Sequence, residues 1–230
     1  MIELQDKRTW TKELIENIEK SLKIEEILNK YNIIGYHYTS LVNVEDVFEN
    51  GLIGINDETI EKIKENIILR YPEKDKIINR QYKKYIIENK FDNRKNKIYF
   101  CCDNKQFNNG FEYIFKYYGG EITYNCFNNK ILGKELLLNI GKPYIIKFTY
   151  KIEQLDLYVL YDLNKKIKNK LLNNKNIEMD FCLNGNVVAE DIIGAYEVGE
   201  YKNKYYIKRF IKNKNFKNRW IWFHLFLYFI

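Results

Sequence analysis

The spacing of apolar residues changes along this chain, from helical periodicity in its first half to short β-rich runs in its second. In residues 9–31, Leu14, Ile18, Leu22, Ile24, Ile27 and Leu28 recur at helical spacing with charge on the other face. Residues 33–40 follow as a β-rich run. Ser40 is then placed to cap a helix over 41–50, which Gly51 would end. The charged stretch 57–90 suits one or two further helices broken near Pro72. A strand is expected over 97–102 and a helix over 107–118, closed by Gly119-Gly120. Further strands are expected at 122–127, 144–150, 155–160, 179–183, 193–198 and 205–210. Early helices and late strands favour an α+β domain over alternating βαβ units. Neither an internal repeat nor a linker divides the chain, and 230 residues suit one domain.

Composition narrows the function classes only a little. Ile, Lys, Asn and Tyr dominate, as in the codon bias of an AT-rich genome, so the Asn-Lys runs read as solvated loops. The net charge of +7 permits a polyanionic partner, but the basic residues are spread along the chain rather than gathered into one stripe. Cys101, Cys102, Cys126 and Cys182 form no CxxC pair. With only His37 and His224 beside them, no usual zinc spacing arises, so no metal is expected and the thiols read as free in a reducing cytosol. Cys101 and Cys102 would point to opposite faces of a strand. Acidic residues stand where the apolar part of a signal peptide would be, so a cytoplasmic protein is expected. The apolar, aromatic residues 220–230 are too few for a membrane-spanning helix, which needs about 20. They read as a buried last strand, with a membrane-surface anchor or a docking tail for a partner as alternatives.

The residues that carry chemistry begin at His37, in Tyr36-His37-Tyr38-Thr39-Ser40. Strand alternation sends His37 and Thr39 to one face, where an imidazole and a hydroxyl can exchange hydrogen bonds with a ribose. A strand with His-Tyr-Thr, a helix and then Gly51-Leu52 resembles the opening of the ADP-ribosyltransferase superfamily, which includes poly-ADP-ribose polymerases and bacterial toxins. Lys97-Ile98-Tyr99-Phe100 is similar to the strand whose tyrosine packs on nicotinamide in that superfamily, and Tyr113 falls where a second flanking aromatic is expected. A flat cationic ring between two aromatic faces gains stacking and cation–π attraction. The segment Ile177-Glu178-Met179-Asp180-Phe181 resembles the strand that bears the catalytic carboxylate. Glu178 is the first choice for that role, Asp180 the second, and Glu121, after Gly119-Gly120, a third.

The resemblance covers residues 33–198 and implies a split β-sheet core with residues 1–31 as an N-terminal helical segment and 199–230 as a strand and aromatic tail. It implies NAD as substrate, held by His37, Thr39, Tyr99 and Tyr113. The implied activity is transfer of ADP-ribose to a protein or nucleic-acid acceptor, or NAD hydrolysis, in a toxin or phage-defence setting. An antitoxin or other partner docking on the C-terminal tail would fit that setting. The alternatives are a non-catalytic binding module on the same fold, an RNA-binding protein, or an enzyme like the tRNA 2′-phosphotransferases. The last needs several arginines and histidines around a phosphate, and the motifs here are poor in arginine.

Overall fold

Two antiparallel sheets meet at the first long strand. The computed structural model describes residues 1–20, 24–88, 92–105, 112–127, 134–138, 140–177 and 180–216. Strands β1 (Ile33–Leu41), β3 (Lys142–Tyr150), β5 (Ile192–Tyr201) and β6 (Lys204–Lys212) form a four-stranded sheet in the order β1-β3-β5-β6. Strands β2 (Lys97–Phe100) and β4 (Phe181–Asn184) form a second, two-stranded sheet. The chain is therefore an α+β protein with antiparallel sheets.

Alternation along β1 sorts its side chains to two faces. Ile33 joins a main core with Ile146, Phe148 and Tyr150 of β3 and with Ile192 and Ala195 of β5. Helices that close that core include α1 (Lys12–Glu19), α2 (Ile24–Leu28) and α8 (Leu157–Asn173). Ile34, Tyr36 and Tyr38 go to the opposite face, among Cys101, Phe115, Ile145, Val198 and Tyr205. A third cluster is helical. Ile60 and Ile67 of α4 (Asp57–Arg70), Ile78 and Tyr85 of α5 (Asp75–Ile87), and Cys126 and Phe127 of α7 (Gly120–Phe127) are buried together.

Local chemistry explains several boundaries. The Thr11 hydroxyl accepts from Leu14 N at the start of α1, and Asn56 and Thr59 exchange hydrogen bonds in a capping box at the start of α4. Pro72 separates α4 from α5, as expected. Gly51, at φ 81°, ends α3 (Glu45–Asn50) in a backbone conformation that favours glycine. Lys202 and Asn203 both take positive φ, and this sets the tight turn between β5 and β6.

Five expectations are corrected. The first helical region is not continuous: a short turn at Lys7–Thr9 precedes α1, and α2 starts only at Ile24. Ser40 caps no helix; β1 runs to Leu41, Ser40 is buried, and α3 begins at Glu45 after Val44. Residues 122–127 are helix α7 rather than a strand. Thr123, Cys126 and Phe127 are buried at helical spacing, and packing on α5 and α4 overrides the β-branched and aromatic composition. Gly119-Gly120 accordingly joins α6 (Glu112–Lys116) to another helix, not to a strand. Residues 155–160 belong mostly to α8, whose Val159, Leu163 and Ile167 recur every fourth residue into the main core. The strand reading there took too short a window. Residues 217–230, and with them the whole aromatic stretch 220–230 expected as a buried last strand, lie outside the described residues.

Candidate functional site

The two sheets touch where β1 passes β2. Among the described residues one antiparallel bridge joins them: Tyr36 N donates to Cys101 O, and Cys101 N donates to Tyr36 O, each at 2.9 Å. A continued ladder would bring the Tyr38 and Tyr99 backbones together next. Instead, His37 Nδ1 donates to the Tyr99 carbonyl oxygen at 2.8 Å. The imidazole thus stands in for the next rung, at the point where the sheets part.

That contact fixes the ring's chemistry. A carbonyl can only accept, so Nδ1 carries the proton and Nε2 presents a lone pair in the neutral ring. His37 is half-buried, and burial holds its pKa below the ordinary histidine value, opposed by the hydrogen bond to Tyr99 O. The ring is therefore neutral at pH 7. Thr39 shares the His37 side of β1 by alternation, is half-buried, and sits opposite Tyr144 of β3.

Tyr99 is 37% exposed although it lies within β2, between buried Ile98 and Phe100. The Arg94 guanidinium lies over its ring, 5.6 Å from the centroid. Sequence reasoning missed Arg94. Its only signal was a run of cations at the entry to the strand, Arg94, Lys95 and Lys97. Tyr99 pairs with Cys182 of β4, and the Cys182 thiol is pushed up to about 11 by burial, with the Asp156 carboxylate adding to the shift. Lys97 Nζ donates to Asp156 at 2.9 Å and lowers that carboxyl's pKa.

Of the expected carboxylates, Asp180 falls at the other edge of the small sheet. Glu178 lies outside the described residues. Asp180 is exposed, just before β4. Phe100 pairs with Phe181, so continuing the register sets Asp180 opposite Cys101, and its charge adds to the burial that raises the Cys101 thiol. Tyr36, Cys101 and Asp180 thus follow one line across three strands, one residue from the level of His37. Pairing parity gives Asp180 the Tyr36 face, whereas His37 lies on the other, so the register does not bring the two side chains to one face. Tyr113 lies on α6 and Glu121 on α7, and their side chains are outside the described residues.

A hydrogen-bonded chain that sequence reasoning missed supports the segment before Asp180. Tyr38 Oη donates to Asp103 O at 2.8 Å, Gln5 Nε2 donates to Asp103 Oδ2 at 3.2 Å, and Ile177 N donates to Gln5 Oε1 at 3.1 Å. Cys102 Sγ donates to Ile177 O at 3.1 Å. The N-terminal segment is therefore tied to β1, to the end of β2 and to the approach to β4. Only three-dimensional contact reveals it, because the partners are up to 172 positions apart.

The four cysteines are unpaired and buried, with Cys101 and Cys102 in different cores as alternation requires. Among the described residues no group of His, Cys, Asp and Glu is arranged to hold a metal ion, and no helix is long and apolar enough to cross a membrane. An open groove of about 330 Å³ lies between α4 and α5, lined by Asp57, Lys64, Asn79, Tyr82, Lys83 and Ile86, none of them an expected site residue.

No protein-family model matches the sequence, and no curated protein matches it. Among solved structures, the chain is similar to EcPltA with a TM-score of 0.40 and 11% identity, over 80% of this chain and 87% of that one. At that score and identity the likeness carries no argument about fold or activity.

Proposed function

We propose that this chain binds NAD at the gap between its two sheets and transfers ADP-ribose to a macromolecular acceptor, or to water when none is present. The observation that carries this reading is the His37–Tyr99 contact where the sheets part. It joins two of the residues that the resemblance to ADP-ribosyltransferases singles out, although they are 62 positions apart.

The roles are those the resemblance implies, set against the contacts each residue makes. His37 Nε2 accepts a hydrogen bond from a ribose hydroxyl, and Thr39 works beside it on the same strand face. Tyr99 offers its ring to nicotinamide. The Arg94 guanidinium lies over that ring and is the cation assigned to the ligand's diphosphate. Cleavage breaks the bond between C1′ of the ribose and the nicotinamide nitrogen, and the bonding pair leaves with nicotinamide. A carboxylate, Glu178 or Asp180, stabilises the positive charge that develops on the ribose. The acceptor then bonds to C1′ and loses a proton.

The test is nicotinamide release from NAD, with NAD binding measured in parallel, for wild type, His37→Ala, Glu178→Gln and Asp180→Asn. Binding is expected to weaken at least tenfold in His37→Ala, by about 1.4 kcal/mol or more. Release is expected to fall about a hundredfold or more in one carboxylate variant while binding holds. Binding without release in the wild type would make the chain a non-catalytic module. Neither binding nor release would end the NAD reading.

A further inference from the structure

We infer that Gln5 is a positioning residue for the carboxylate that the proposed reaction needs. The inference rests on the NAD reading and deepens it, because it names what anchors the approach to Glu178 and Asp180.

The backbone that carries Gln5 is itself well held. Ile2 forms a parallel bridge with Ile33 of β1, in which Ile2 N donates to Asn32 O and Ile34 N donates to Ile2 O, each at 2.9 Å. Ile2 and Leu4 are buried in the main core, and Lys147 of β3 pairs with Glu3 at 2.6 Å. The N-terminal segment thus runs beside β1, just before the point where β2 meets that strand at Tyr36.

From there the Gln5 amide spans two elements. Its Nε2 donates to Asp103 Oδ2 at 3.2 Å, just past β2, and its Oε1 accepts from Ile177 N at 3.1 Å. The partners force that orientation, since a carboxylate accepts and a backbone N–H donates. Only a side chain with both functions satisfies the pair. An ionised glutamate would set a second carboxylate against Asp103, a lysine would offer Ile177 N no acceptor, and an apolar chain would satisfy neither. Asp103 O in turn accepts from Tyr38 Oη at 2.8 Å, and Tyr38 follows His37 on β1. Gln5 therefore ties the approach to β4 to the strand that carries His37.

Ile177 is the residue so fixed. Its N–H is held by Gln5, its carbonyl accepts from the Cys102 thiol at 3.1 Å, and its side chain is fully buried. Pairing with β2 takes hold at Phe181, opposite Phe100. Glu178 and Asp180 fall in sequence between these two anchors. Strand pairing supplies the second anchor, whereas side chains from distant parts of the chain supply the first. A carboxylate that stabilises developing charge must be held near one position, and a shift of about 1 Å costs up to about a hundredfold in rate.

The test is a double-mutant cycle read in nicotinamide release, with NAD affinity measured in parallel. Gln5→Met keeps the length of the side chain and removes both hydrogen bonds. Gln5→Glu, of nearly the same shape, keeps an acceptor for Ile177 N and opposes Asp103, so it carries the test if Gln5→Met does not fold. Circular dichroism checks the fold of each. In the folded variants kcat is expected to fall about tenfold or more, while Kd for NAD stays within about twofold of wild type. Added to whichever of Glu178→Gln and Asp180→Asn abolishes most release, the same substitution is expected to cost less than about twofold further, because nothing is left to position. Loss of stability alone would not produce that non-additivity. An unchanged kcat, a loss that adds in full to that of the carboxylate variant, or weakened NAD affinity at unchanged kcat would each overturn the inference. Absence of release in the wild type would end the NAD reading and this one with it, whereas wild-type release that is indifferent to Gln5 would end this one alone.

Discussion

A single proton decides what His37 can do. The ring gives its Nδ1 proton to the Tyr99 carbonyl and keeps Nε2 as an acceptor only while neutral. Burial lowers its pKa in the folded chain, whereas the unfolded ring keeps a value near 6.5. As pH falls through that value, the unfolded state takes up the proton first. Stability is therefore whole above about pH 7, declines as pH drops below about 6.5, and levels off once the folded ring protonates. Asp156 and Glu197 have lowered pKa values, from hydrogen bonds to Lys97 and to Arg209, so their contributions are lost only below about pH 4.5. Urea denaturation at pH 7.5 and pH 5.5 separates the two windows: wild type is expected to lose stability between them, and His37→Gln to lose clearly less. An equal loss in both would show that burial does not disfavour the charged ring. The residue type, the strand and the face of His37 were all legible from local alternation. Its partner was not, because the Tyr99 carbonyl is brought near only by a bridge between strands far apart in sequence.

Between elements, the joint of the two sheets depends on a missing side chain. A Cβ at Gly35 of β1 would lie 2.7 Å from the rings of both Phe100 of β2 and Phe148 of β3. Those rings meet edge to face, with centroids 5.2 Å apart, over the glycine. Neither ring can retreat, because Phe100 also packs on Tyr150 and Phe181 inside the main core. Gly35→Ala is expected to destabilise the fold by about 1–3 kcal/mol through overpacking, read as a lower urea midpoint with an unchanged slope. A midpoint equal to wild type would mean that the sheets have slack here. Strands β1 and β2 could be read in advance because hydrophobic, β-branched and aromatic residues run together in short stretches there. The same composition misled at residues 122–127 and at the start of α8. There the helix is imposed by a buried face that becomes visible only over several turns, or only once α4 and α5 are in place. Residues 41–44 show the reverse error, since nothing local says that β1 extends to Leu41 to complete its pairing with Lys142.

At the scale of the molecule, the small sheet pairs with the large one at one bridge among the described residues, and the proposed ligand would lie beside that bridge. A ligand held by His37 and Thr39 on one sheet, by Tyr99 on the other and by Arg94 just before it would favour the folded chain over the unfolded one. At a ligand concentration of one hundred times Kd, the stabilisation is about 2.7 kcal/mol. For a chain of this size each kcal/mol raises Tm by about 2–4 °C, so NAD at that level is expected to raise Tm by about 5–10 °C. ADP-ribose, which keeps the adenosine, the diphosphate and both riboses, should give most of the same shift. Nicotinamide alone should give little, because it reaches only the Tyr99 ring. The shift is expected to vanish in His37→Ala and to shrink in Arg94→Ala, which removes the diphosphate's cation. Differential scanning fluorimetry of these variants reads all of this in one experiment. A shift with NAD that survives His37→Ala would move the ligand away from the gap, and the α4–α5 groove would then be the place to look.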